Sequence, residues 1–230
     1  MSINIPVITE NVIVRLSGGA DSALMLWMIC NEWEKKNKKL IVWPVTVIHG
    51  VRNWQSYYAQ QVYDYIQDNC YGEFKEFNTS FCTNPKQEYV NYQEQLMDNV
   101  IKQTNQTTQA FNGVTANPDE EIGLKYWGSS KVFGSKVWNL REHKRDWNTR
   151  LEENLIDEGP SRKLIHCEPF RHSHKGHVAE LYKKYNLIDT LLPLTRSCEG
   201  WDYMTKGFTE VCGECWWCME REWAFNEYIS

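Results

Sequence analysis

The sequence predicts an α/β protein: a parallel sheet flanked by helices, with a small cysteine-bearing segment at the carboxyl end. Three observations predict it. Short β-branched apolar runs alternate with amphipathic stretches from position 11 to 114, the pattern of strands joined by crossover helices. A Ser-Gly-Gly turn joins the first apolar run to the first amphipathic stretch. A Cys-x-x-Cys-x-x-Cys string stands near the end.

Residues 12–16 form a β-branched run that reads as a buried strand. From Ser22 onward Leu24, Met25, Trp27 and Met28 recur at helical spacing, and this helix fades between 35 and 39. Residues 40–48 read as a second strand, weakened by Pro44, which lacks a ladder donor. A helix follows over 55–68, then a short strand at 74–77, a helix over 86–104 and a strand at 110–114 ending in glycine. Residues 164–170 read as the last core strand, and 178–185 as a helix. We divide the chain into an α/β domain (1–190), interrupted by a lid-like insertion at 117–162, and a metal-binding segment (191–230) packed on it.

The turn carries the chemistry. It runs Leu16-Ser17-Gly18-Gly19-Ala20-Asp21-Ser22-Ala23, between a strand's carboxyl end and a helix's amino end. The first amides of a helix have no intrahelical partner, and the macrodipole adds positive charge there. Glycines without Cβ let an anion approach the backbone, and Ser17 and Ser22 add hydroxyls, so the turn suits a phosphate. Asp21 would repel that phosphate unless a cation such as Mg²⁺ bridges the two; the plainer alternative makes it a helix cap. No Gly-Lys-Ser/Thr follows, which excludes the common P-loop. In a parallel sheet, ligands sit beyond the carboxyl ends of the strands, so His49 and Arg52, Asn112 and Gly113 should face the same crevice. His49 and Arg52 read equally as nucleotide contacts or as ordinary loop polarity. Lys175, at a helix start beyond a strand end, is placed to meet phosphate or developing charge.

Composition narrows the classes. No apolar run is long enough to cross a membrane, and the first residues lack a basic region followed by an apolar one, so we expect a cytoplasmic protein. A net charge of −5 argues against a long nucleic-acid track. Four cysteines, Cys198, Cys212, Cys215 and Cys218, satisfy tetrahedral Zn²⁺ with no open position, which makes the site structural. Cys30, Cys70, Cys82 and Cys167 are scattered and read as ordinary thiols. His172, His174 and His177 match no compact helical ligand pair and have no interleaved carboxylate, so no metal is assigned to them. Basic residues outnumber acidic ones between 131 and 150; that stretch is a solvated face or a lid over phosphates. Within it Trp138 and Trp147 stack on a base, pack the lid or form a subunit interface, the last implying a homodimer.

Ser-Gly-Gly-Ala-Asp-Ser resembles the signature of the PP-loop ATP pyrophosphatases, which split ATP between its α and β phosphates. The resemblance implies a Rossmann-like sheet of the adenine nucleotide alpha hydrolase (HUP) type, with ATP and Mg²⁺ at the turn. Thr195-Arg196-Ser197-Cys198, the terminal Cys-Gly-x-Cys-x-x-Cys-x-x-Arg and Ala224-Phe225 narrow it further. Together with the turn they look like the 7-cyano-7-deazaguanine synthase family. In that family Pro-(Leu/Phe) and a Thr-Lys step precede the cysteines; Pro169-Phe170 and His174-Lys175 occupy those places. The resemblance implies a ligase that adenylates a deazapurine carboxylate and uses ammonia to form the amide and then the nitrile of preQ0, the queuosine precursor. The family's Gly-Tyr-Pro-Asp-Cys-Arg stretch has no counterpart at positions 114–121. Two other classes stay open: a PP-loop enzyme that thiolates or amidates RNA, and a non-catalytic ATP- or AMP-binding module.

Overall fold

The computed structural model describes residues 3, 5–36, 39–50, 54–82, 89–116, 118, 120–127, 164–200 and 202–230. Most of the insertion read at 117–162 lies outside them, as do Arg52, Trp138 and Trp147. Six parallel strands form one sheet: β1 (Asn11–Arg15), β2 (Ile41–His49), β3 (Glu73–Phe74), β4 (Asn78–Cys82), β5 (Thr108–Asn112) and β6 (Leu164–Cys167). The order is β3-β2-β1-β5-β6, with β4 pairing β2 beyond the end of β3.

Both faces of the sheet are covered, which explains why its strands read as continuous apolar runs. Val12 and Val14 of β1 pack with α1 (Ala20–Glu34), α2 (Trp54–Asn69) and the later α5 (Lys175–Lys184) in one core. Ile13 points the other way, into a second core with Leu96, Met97 and Val100 of α3 (Tyr89–Thr104). Each such fully buried branched side chain contributes about 1.5–3 kcal/mol. A short α4 (Glu120–Trp127) stands where the sequence pattern predicts no element.

Three elements depart from the sequence pattern. Pro44 sits inside a central strand, because the outer neighbour of β2 changes there. β3 pairs Ile41 and Val42, β4 pairs Val45 to His49, and the proline without a donor falls between them. β4 has the sequence Asn-Thr-Ser-Phe-Cys and alternates outward and inward, so it shows no apolar run. β5 begins two residues earlier than its apolar stretch, at Thr108, which leaves Gly113 just past its end.

The chain runs outward from β1 through β2 to β3 and β4, then returns to the far side of β1 as β5. The order therefore reverses between β1 and β5, the topological switch point at which such sheets open a crevice. Beyond α5 the chain turns through Leu192–Leu194 into the cysteine segment. It ends with α6 (Trp216–Glu222) and a π-helical turn, Trp223–Tyr228. Trp216, Trp223 and Ala224 bury against Ala179 of α5. Arg221 donates to the Thr195 hydroxyl (2.7 Å) and the Leu192 carbonyl (2.9 Å), which fixes α6 to the preceding turn.

Candidate functional site at the first strand-helix turn

The crevice contains a cavity of about 180 Å³. Ser17, Asp21 and Ser22 form its wall on the loop side. The strand ends supply the rest through Arg15, Leu16, Thr46, Asn112 and Gly113, and Gln93 of α3 closes one flank. Arg15, Thr46 and Gln93 were not singled out by the sequence. Arg15 reads as one polar residue at the end of an apolar strand, and Gln93 as a helix-surface residue. Only the pairing of β1 with β2 and β5 brings them to one place.

Gly19 caps α1 without a side-chain hydrogen bond, and its carbonyl accepts the first helical bond, from Ala23 N (3.1 Å). Ala20 and Ala23 are buried on the inner side of the helix. Ser22 Oγ donates to the Gly19 carbonyl (3.2 Å) and accepts from Ser17 N (3.3 Å). Ser17 Oγ accepts from Gly19 N (3.4 Å) and lies 3.3 Å from Ser22 Oγ. Both hydroxyls bond within the turn and hold its shape.

The glycines divide their duties. Gly18 has φ +74, and a Cβ there would meet Tyr58 Cβ at 2.7 Å and Ala59 N at 2.9 Å. Its missing side chain admits α2, not an anion. Gly113 is needed for packing as well, since a Cβ would stand 2.9 Å from Ser22 N. Gly19 is the least crowded of the three: a Cβ there would press on Ser17 Oγ (3.3 Å) and touch the Arg196 carbonyl (3.8 Å) and Ser197 Oγ (3.9 Å).

Asp21 and Lys175 form an ion pair between the first turn of α1 and the start of α5. Lys175 is buried, and its ammonium binds Asp21 Oδ2. Asp21 Oδ1 is buried without a hydrogen-bond partner. Lys175 opens α5 behind His174, whose ring nitrogen accepts from His177 N (3.4 Å) as the cap. The two imidazoles stack at 3.7 Å between centroids. Burial, then the neighbouring His177, pushes the His174 imidazole down to about 4. Burial also lowers His177, against the pull of Glu180. Asn112 Nδ2 donates to Glu168 (3.0 Å) at the crevice rim. His49 closes β2 opposite Cys82.

The cysteine segment belongs to the same neighbourhood. Arg196 N donates to the Gly18 carbonyl at 2.7 Å. The Arg196 guanidinium is buried, donates to the Phe208 (2.7 Å) and Glu210 carbonyls and lies over the rings of Trp54 and Tyr58 of α2. Two residues on, Cys198 joins Cys212, Cys215 and Cys218, all four sulfurs lying within 4.8 Å of one another. Backbone amides point at the sulfurs: Gly200 N and Cys212 N at Cys198 (both 3.3 Å), Cys215 N at Cys212 (3.3 Å) and Cys218 N at Cys215 (3.4 Å). Hydrogen bonds from Cys215 and Cys218, aided by those amides, hold the Cys198 thiol well below its ordinary value. An amide-lined set of four sulfurs, two of them on buried and two on half-buried cysteines, with one thiolate already favoured, is able to hold a metal ion.

No family model matches the chain, and no curated protein matches it. Among solved structures it is similar to the U34-tRNA thiolase NcsA from Methanococcus maripaludis with its 4Fe-4S cluster. The two are 14% identical, over 95% of this chain and 71% of that one, with a TM-score of 0.46.

Proposed function

We propose that the chain is an ATP-dependent adenylating enzyme of the PP-loop type, acting on a small planar deazapurine carboxylic acid with ammonia to give the amide or nitrile. The observation that carries this reading is the Ser17–Ser22 turn at the switch point of a parallel sheet, with an unpartnered Asp21 oxygen and a buried Lys175 beside it. The turn would hold the phosphates of ATP on the first amides of α1. Asp21 Oδ1 suits Mg²⁺ shared with those phosphates, and such an ion would offset their charge. A carboxylate oxygen of the substrate attacks the α phosphorus, the bond to the bridging oxygen breaks and pyrophosphate leaves. Lys175 can offset charge on that centre, having been fixed there by Asp21. Ammonia then attacks the acyl carbon and AMP departs. The cavity of about 180 Å³ is smaller than a whole nucleotide site and suits one planar end of a ligand.

The four cysteines suit structural zinc. Zn–S bonds of about 2.3 Å place tetrahedral sulfurs about 3.8 Å apart. Cys212 and Cys218 stand 3.9 Å apart, and all four lie within 4.8 Å. A four-iron cube carries its cysteine sulfurs on its outer corners and needs a wider spread.

Incubation with ATP, Mg²⁺, ammonium and 7-carboxy-7-deazaguanine, followed by mass spectrometry, tests the reading. We expect AMP, pyrophosphate and a product that has lost oxygen and gained nitrogen. AMP formed only with RNA would make the chain an RNA-modifying enzyme. No AMP with any substrate would make it a nucleotide-binding module.

A further inference from the structure

We infer that Ser197, in the cysteine segment, is a direct ligand of the phosphates bound at the Ser17–Ser22 turn, so that the anion site is built from both ends of the sequence. The inference rests on the proposed phosphate role of the turn. Three observations lead to it. Gly19 is the least crowded of the loop glycines, and the atoms nearest the place of its Cβ are Ser17 Oγ (3.3 Å), the Arg196 carbonyl (3.8 Å) and Ser197 Oγ (3.9 Å), so Ser197 reaches the amino end of α1. The Ser17 and Ser22 hydroxyls already bond within the turn, with Ser22 donating to the Gly19 carbonyl. Ser197 Oγ, by contrast, is buried and has no hydrogen-bond partner.

A buried hydroxyl without a partner carries a desolvation cost that a ligand can offset. The residue around it is only half-buried, so a turn about χ1, a fast and inexpensive motion, brings the hydroxyl to an anion on the Gly19 face. Its backbone is held on both sides. Arg196 N is bonded to the Gly18 carbonyl, and Cys198 belongs to the sulfur cluster. The donor is thus aimed by rigid neighbours, and the metal site gains a second consequence: holding Cys198 holds Ser197 against the loop.

The test uses the full-length protein with its metal and measures binding of Mg·ATP and of inorganic pyrophosphate by calorimetry. Ser197→Ala should weaken both about ten- to hundredfold, the loss expected for a hydrogen bond to a charged group. Zinc content and melting temperature should stay at wild-type values, and Ser197→Thr, which keeps the hydroxyl, should bind within a few-fold of wild type. Gly19→Ala is the companion variant, since φ −85 at this position accommodates a side chain. It should fold, with the Ser17 hydroxyl giving way to the new Cβ at 3.3 Å, and lose pyrophosphate binding as that Cβ crowds the side between Ser17 and Ser197. Unchanged pyrophosphate affinity in Ser197→Ala, or loss of its zinc, overturns the inference. Unchanged affinity in Ser197→Ala with loss in Gly19→Ala leaves the phosphate reading standing without Ser197. Wild-type protein that binds neither ligand overturns the phosphate reading itself.

Discussion

Lys175 has its side chain only 4% exposed and Asp21 as its ion partner, so the two residues cannot be altered independently. Removing the carboxylate leaves a buried ammonium without compensation, which typically costs about 3–5 kcal/mol. We expect Asp21→Ala to abolish pyrophosphate release and to lower unfolding stability by about 3 kcal/mol in urea titration. The double variant Asp21→Ala/Lys175→Met should recover most of that stability and none of the activity. Equal losses in the single and double variants would mean that the pair is not coupled. The sequence marked both residues as candidates, each for its own reason, and was silent on their contact. Asp21 belongs to the loop string and Lys175 to a distant helix start, and only the packing of α5 against α1, where Tyr182 Oη donates to the Ala20 carbonyl (2.9 Å), brings them together.

The amino end of α5 makes a second measurable element. Its stacked His174 and His177 are both held below the ordinary imidazole value, His174 at about 4. An unfolded chain protonates these rings near pH 6.5, whereas in the folded chain His174 resists until the pH approaches 4 and His177 is lowered in the same direction. The unfolded state therefore binds more protons in that window, and stability falls as pH falls from about 6.5 toward 4. Urea midpoints at pH 7.0, 5.5 and 4.5 should descend in order, and His174→Asn, which keeps a capping side chain, should flatten the descent. A flat wild-type profile would refute it. Most elements were legible from the sequence: β1, α1, α2, α3 and α5 carry apolar periodicity strong enough to place them within a few residues. β4 was not, because its stabilising partner is the end of β2 and its own side chains are mostly polar. Pro44 weakens β2 by its local sequence alone, and the change of outer neighbour there removes the penalty. At the candidate site, the Ser-Gly-Gly turn and the cysteines were legible as strings, while Arg15, Thr46 and Gln93 were not, since a cavity wall has no periodicity.

At the scale of the whole molecule, the cysteine segment is tied to the loop of the site by the bond from Arg196 N to the Gly18 carbonyl. Elemental analysis should find about one zinc per chain. Chelation or Cys215→Ser should lower the melting temperature by on the order of 10 °C, because structural zinc contributes folding free energy directly. Pyrophosphate affinity should fall with it, since the bond from Arg196 N to the Gly18 carbonyl depends on the segment's position. Metal-free protein with unchanged melting and unchanged affinity would refute both statements. That one bond also bears on how the protein comes into being. The ribosome makes Gly18 long before Arg196, which lies far along the chain from it. Contacts of such long range form late and slowly. The sheet can assemble as it emerges, but the loop meets this partner only after Arg196 has been made, so a chain cut short before it would carry the recognisable turn and remain unable to use it.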